Sequence, residues 1–285
     1  MTIVRSSGSL DQLREEVRRA PPLPALSGER YAATHAAYEA ASDQRSRLKE
    51  WLARELAPLL DGCDPVRVVG VGVGNGSVDT VLATALAVDG RSVHYTGVEP
   101  HAASAVEFAE RLASLGAAAL VPAVTIGKFA DHDAGYPADL VHFVHSLYYV
   151  EDLSAALEHA LKIARPGGLL MAATAPLEPL CVLTELVCPW GGHRPWFAED
   201  VRAELDLRGL DVHTETLVGQ LDVRDVLADP LGRGEAVFDF LVGARTAAMT
   251  PGIRERMLNH LHAISAPERP GRVPHPLDIT IARVP

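Results

Sequence analysis

VRVVGVGVGNGSVDT, Val66–Thr80, is the stretch on which the fold turns. It starts as an apolar, β-branched run of strand length, places glycine at 70, 72, 74 and 76, and turns polar at Asn75, Ser77 and Asp79. A run that continuous suits a strand covered on both faces. Glycines behind it permit positive φ and let a ligand approach the main chain. A helix opening after them would present free N–H groups and the positive end of its dipole. The spacing predicts strand, tight turn and helix, with a ligand seat on the turn.

The same signal repeats downstream. Apolar runs at Val93–Val98, Leu120–Ile126, Leu140–Val144 and Leu169–Ala173 alternate with helical patterns at Val78–Val88, Ala102–Leu115 and Leu153–Ala164. Alternation at this spacing predicts βαβ units and an α/β fold with a mostly parallel sheet. A helix at Phe197–Arg208 and strands at Asp211–Leu217 and Leu277–Ala282 bring the sheet to seven strands, with helices around Glu235–Met249 and Gly252–Ile264 before the last one. Residues 1–30 end in the proline-rich APPLPALSGE and read as a loose or weakly helical arm. A helix follows from Tyr31. A second is capped by Ser42 and carries Leu48, Leu52, Leu56 and Leu59 or Leu60 on one face. The expected organisation is an arm and helical cap over 1–60 and a core over 61–285, with 221–272 as a helical insertion over the ligand site.

Composition narrows the function. The 285 residues are 48% hydrophobic and 22% charged, which suits one large domain or a core with a cap. A net charge of −11 argues against a nucleic-acid partner, since phosphate binding needs clustered Lys and Arg. Cys63, Cys181 and Cys188 are an odd count without metal spacing and read as reduced thiols of a cytoplasmic protein. Neither a leader pattern nor an apolar run of about 18 residues is present, so no membrane partner is expected.

An acidic residue completes the ligand seat. Glu99 ends the second strand in VHYTGVEP, 23 positions after Gly76, where a carboxylate can accept ribose hydroxyls. The dinucleotide fingerprint would put a third glycine where Ser77 stands, and no second nucleotide half follows. The alternating glycines, VEP, IGKF at Ile126–Phe129 and RPGGLLMAAT at Arg165–Thr174 resemble the motifs of class I S-adenosylmethionine-dependent methyltransferases. Lys128 stands where that family usually places an acidic residue. DLVHFVHSLYYVEDLSAALE at Asp139–Glu158, the helix Ser42–Leu60, AVFDFL at Ala236–Leu241 and the ending PLDITIA are similar to the histamine N-methyltransferase branch.

The resemblance implies a Rossmann-like methyltransferase fold, S-adenosylmethionine as cofactor and a small-molecule acceptor, in a monomer or homodimer. It implies that Gly72, Gly74 and Gly76 line the methionine and ribose portion and that Glu99 binds the ribose, with Pro100 and Ser104 nearby. Phe129 and Ala130 would lie by the adenine, Val144 under the cofactor and Tyr31 near the reacting methyl. Phe240 matches an aromatic of the acceptor site. The branch's histamine-binding Glu, Gln and Asn fall on Gln44, His145 and His275, and its two flanking tryptophans near Leu180 and Thr184. A cationic amine side chain would thus miss its carboxylate and its aromatic walls, so the acceptor is expected not to be histamine.

His145, at the end of the fourth strand, and His275, before the last, are the candidate bases or orienting groups. Tyr148 and Tyr149 are candidates to line the pocket. Asp131, His132 and Asp133 read as a solvated loop, and His142 and His145 fall on opposite faces of a strand, so no metal is expected. His193 reads as a structural loop residue. N-methylation is the expected chemistry. O- or C-methylation, use of the cofactor for cyclisation or elimination, and a non-catalytic cofactor-binding regulator are the alternatives.

Overall fold

The structure, a computed structural model, describes residues 7–117, 119–188 and 194–285, so His193 lies outside the described residues. Three helices come first: α1 (Ser7–Arg19), α2 (Gly28–Ala40) and α3 (Gln44–Trp51). Then β1 (Val66–Val71), α4 (Asp79–Leu86), β2 (Val93–Glu99), α5 (Ala102–Ala113), β3 (Leu120–Ile126), β4 (Ala138–Val144), α6 (Leu153–Ile163) and β5 (Ala164–Thr174) alternate. The chain continues through α7 (Val182–Val187), α8 (Ala198–Leu207), β6 (Val212–Asp222), α9 (Arg224–Ala228), α10 (Glu235–Val242) and α11 (Pro251–Ile264), and ends in β7 (Arg272–Arg283).

The seven strands lie in the order β3-β2-β1-β4-β5-β7-β6. β1 pairs in parallel with β2 and β4, β2 with β3, and β4 with β5, whereas β7 runs antiparallel to β5. The order reverses beside β1, which puts a switch point at the carboxyl ends of β1 and β4. Open α/β sheets bind their ligands at such a point.

The described residues divide into two compact units. One holds Arg45–Ala175, Pro195–Leu217 and Leu277–Pro285. Its two apolar clusters follow the period-2 alternation of the strands: Val66, Val68 and Leu140 belong to one, Val69, Val71, Val141 and Phe143 to the other. Leu82 and Leu86 of α4 and Phe108 of α5 join the first cluster, Leu157 of α6 and Val201 of α8 the second. The other unit comprises the described residues within Met1–Gln44, Pro176–Arg194 and Val218–Pro276, with its own core around Leu13, Leu183, Phe238, Met257 and Leu261.

Of the two expectations for the N-terminal arm, loose or weakly helical, the structure has the helical one. α1 is a regular helix whose Leu10 and Leu13 are buried in that second core, and Arg256 of α11 pairs with its Glu16. β5 starts before the expected Leu169 and takes in the RPGG segment, where Gly167 N–H bonds to Val284 O at 2.8 Å. The Glu235 helix stops early, because Gly243 takes a left-handed φ of 68° and its N–H closes on Asp239 O and Phe240 O.

Beyond α3 a π turn covers Leu52–Leu56 and a 3-10 turn Ala57–Leu60. A stripe spaced by four residues drifts around an α-helix, and one wider turn brings it back. Leu48, Leu52, Leu56 and Leu60 are accordingly all buried, while Leu59 is half exposed.

Candidate functional site

Gly72, Gly74 and Gly76 all have positive φ, of 67°, 54° and 73°. Their surroundings differ. A Cβ on Gly72 would lie 2.5 Å from the Ser146 Cβ, and one on Gly76 would lie 2.7 Å from the Phe108 ring. A Cβ on Gly74 would meet nothing within 4 Å. Gly72 and Gly76 therefore let protein approach protein, and Gly74 is the turn's open point. The turn is held by Gly72 N–H to Val98 O at 2.8 Å, Gly76 N–H to Val73 O at 3.0 Å and Ser77 N–H to Asn75 Oδ1 at 3.2 Å.

Glu99, buried at the end of β2, reaches across to this turn. Its Oε2 accepts the Gly74 N–H at 2.9 Å and its Oε1 accepts the His101 N–H at 2.9 Å. An ionised carboxylate has about four acceptor positions, so two remain for a ligand. Pro100 is exposed beside it. Ser104 is engaged with the His101 ring, its Oγ 3.0 Å from Nδ1, in the N-cap of α5. The Phe129 ring is buried edge-on against Phe143 and His159, which leaves Ala130 as the exposed neighbour at the end of β3. Val144, at the last position of β4, is partly buried against the first core cluster.

The chain leaves β4 through a strained residue. His145 has φ 52°, the one positive value at a non-glycine among the described residues. A left-handed conformation costs about 1–2 kcal/mol for an L-residue and is a feature of functional sites. His145 N–H donates to Ala173 O at 3.0 Å, and its ring stacks on Tyr148 with Nδ1 3.1 Å from Oη. Tyr148 Oη accepts the Ala175 N–H at 2.7 Å, which fixes that ring on β5. Tyr149 is half exposed. The Oγ of Ser146, packed on Gly72, is buried and has no hydrogen-bond partner among the described residues.

The remaining sequence candidates belong to the other unit. Tyr31 is partly exposed and forms an aromatic row with His35, Phe240 and Tyr38 at centroid separations of 4.8 to 6.1 Å. His275 is buried with both ring nitrogens engaged: Nε2 lies 3.0 Å from Tyr38 Oη and Nδ1 2.7 Å from Ser42 Oγ. Burial lowers its pKa to about 4. The buried Gln44 amide donates to the carbonyls of His275 at 3.1 Å and Pro276 at 2.9 Å. Gln44 and His275 thus meet in a closed knot. Ser42 Oγ accepts the Gln44 N–H at 3.1 Å, so the expected cap sits at the start of α3.

Sequence reasoning missed Ser146 and the tie between Tyr148 and His145. It also passed over a buried chain beneath the turn, formed by Asp79, Tyr95 and His142. The signal for that chain was present: a histidine inside the apolar LVHFV must find a polar partner. No group of three or more His, Cys, Asp or Glu able to hold a metal occurs among the described residues. No helix among them is long and apolar enough to cross a membrane.

Residues 69–170, which carry the glycine turn, Glu99 and most of β5, match the family model of a methyltransferase domain. The match and the seven-stranded Rossmann-like sheet agree, and they mark this part of the chain as a methyltransferase domain. Solved structures share the fold. The YcgJ protein from Bacillus subtilis is 13% identical, with a TM-score of 0.52 over 82% of this chain and 98% of its own. A candidate sarcosine dimethylglycine methyltransferase from Galdieria sulphuraria is 16% identical, with a TM-score of 0.51 over 96% of this chain and 97% of its own. The [4+2]-cyclase SpnF is also 16% identical, with a TM-score of 0.51 over 97% and 93%. No curated protein matches the chain by sequence.

Proposed function

We propose that the enzyme methylates a nitrogen of a small molecule, an amine or an imidazole other than histamine. The observation that carries the cofactor side is the cradle around Gly74: an open glycine, a carboxylate with spare acceptor positions on its N–H, and an unpartnered buried hydroxyl at Ser146. Support for a nitrogen acceptor comes from the likeness of Asp139–Glu158 to histamine N-methyltransferase and from the name of the Galdieria neighbour. In this reading Glu99 accepts the ribose hydroxyls and the Gly72–Gly76 main chain receives the methionine portion. Pro100 and Ala130 flank the adenine, and Val144 lies beneath.

S-adenosylmethionine, when bound, supplies a methyl group already activated by its sulfonium for in-line displacement. The protein's remaining task is to hold the acceptor aligned and to exclude water. A neutral nitrogen brings its own lone pair, and a protonated one must first lose its proton. His145 orients the acceptor or takes that proton, with Tyr148 steering its ring. His275 and Gln44 are committed to each other and to Tyr38 and Ser42, so we assign them to support of the helical unit. Tyr31, Phe240 and Tyr149 remain acceptor contacts in this reading. The domain reading follows: a cap over 1–60, a core over 61–285, and an insertion over 221–272 devoted to acceptor choice.

Incubation with methyl-deuterated S-adenosylmethionine and a panel of amines and imidazoles tests the reading. Mass spectrometry should find the label on an acceptor nitrogen. The fold shared with a [4+2]-cyclase favours a second reading, in which the bound cofactor serves a cyclisation. A label that stays on the cofactor while an unmethylated acceptor rearranges would select it.

A further inference from the structure

A buried polar chain runs beneath the glycine turn through three elements, α4, β2 and β4. Asp79 is the first residue of α4, Tyr95 lies on β2 and His142 on β4, and all three are buried. Tyr95 Oη donates to Asp79 Oδ1 at 2.9 Å and lies 2.8 Å from His142 Nε2. A hydroxyl has one proton to give, so the imidazole gives its Nε2–H to Tyr95. Its Nδ1 is then a bare acceptor, buried and without a partner among the described residues. The ring passes directly across β1, where a Cβ on Gly70 would sit 2.8 Å from Nε2. Gly70 pairs in register with His142, so the first glycine of the opening motif makes room for this imidazole.

We propose that Asp79, Tyr95 and His142 are positioning residues that hold the Gly72–Gly76 turn from beneath in the shape that receives the cofactor. The proposal rests on the reading that this turn holds S-adenosylmethionine. The turn is strung between β1 and Asp79, so the carboxylate's bond to Tyr95 fixes its far end to β2, the strand that also delivers Glu99. Three groups face the Asp79 carboxylate: Tyr95 from β2, His142 from β4 at 3.5 Å, and the charge of Arg45 from α3. Arg45 also donates to Ser77 Oγ, inside the turn, at 3.2 Å. Burial raises Asp79 to about 6 and lowers His142 to about 4. At pH 7 the pair is therefore a carboxylate and a neutral imidazole joined through Tyr95. Acidification through about 6 puts a proton on Asp79 and removes its obligation to accept from Tyr95.

Calorimetric titration of the full chain with S-adenosylhomocysteine between pH 5 and 8 tests the proposal, using wild type, Tyr95→Phe, Asp79→Asn and Glu99→Ala. Tyr95→Phe loses only the bridging oxygen and should bind about tenfold more weakly at pH 8, the loss expected for one hydrogen bond to a charged group. Wild-type affinity should fall as pH drops through about 6, and Asp79→Asn should lack that inflection. A purely structural role would lower the melting temperature and leave both readouts unchanged. Folded Tyr95→Phe binding as wild type while Glu99→Ala binds weakly would overturn the proposal, and so would an inflection that persists in Asp79→Asn. If Tyr95→Phe does not fold, the Asp79→Asn profile decides. Unchanged binding in Glu99→Ala would instead refute the cofactor reading, and this proposal with it.

Discussion

Gly72 and Gly74 share a left-handed backbone and differ only in what stands beside them, which separates two kinds of necessity. Gly72→Ala would drive a methyl group into Ser146 and should abolish cofactor binding. Gly74→Ala meets open space and should cost about 1 kcal/mol of stability from its φ alone. Gly74→Arg fills the open point and should abolish binding while the protein still folds; thermal melts with and without S-adenosylhomocysteine distinguish the three. Glu99→Ala should weaken binding at least about tenfold, because it removes both the proposed ribose acceptor and the partner of the Gly74 N–H. At this scale the sequence was legible for the glycine turn and for the carboxylate at the end of β2, which the structure joins through the Gly74 N–H. It was silent on Ser146 and on the engagement of His275, because hydroxyl and imidazole partners are set by chain positions far apart, such as Tyr38 and Ser42.

Among the elements, the βαβ core was readable from one end to the other. Its strands are mostly apolar where the sheet covers them, and glycine or proline marks most of their ends. α1 was only weakly readable, since SGSLDQLREEVRR is mostly polar and precedes a proline-rich segment. Two leucines three apart carry its packing, and Leu13 is 1% exposed. Leu13→Ala should therefore destabilise the protein by about 2–5 kcal/mol, measurable by urea denaturation. A loose arm would have shown no effect. The early stop of the Glu235 helix was legible in principle, since Gly243 is the residue that ends it.

Over the whole molecule, the three buried groups Asp79, His142 and His275 carry large shifts that enter the response to acid. His142 and His275 are both held near 4, below the ordinary histidine value of 6.5, by burial. Between about 4 and 6.5 the unfolded chain binds two protons there that the folded protein refuses, so their stabilisation is present above 6.5 and lost as pH falls toward 4. Asp79, raised by burial to about 6 from 3.8, has the opposite sign: the folded protein binds its proton first. Near pH 5 these three groups leave the unfolded state ahead by about one proton. Stability should fall on acidification. His275→Asn should flatten the slope by about one proton, and Asp79→Asn should steepen it by as much, as read from chemical denaturation at several pH values.

The division into two units was only partly visible in the sequence. Their borders do not follow the composition shifts that mark linkers. They fall at 44/45, 175/176, 194/195, 217/218 and 276/277, and two of these lie inside β6 and β7. A strand that begins in one unit and ends in the other offers no clean seam. The helical unit cannot be exchanged between relatives as a cassette, by recombination or at the bench, without cutting a hydrogen-bonded ladder. Change in that unit is therefore confined to substitution in place, one side chain at a time.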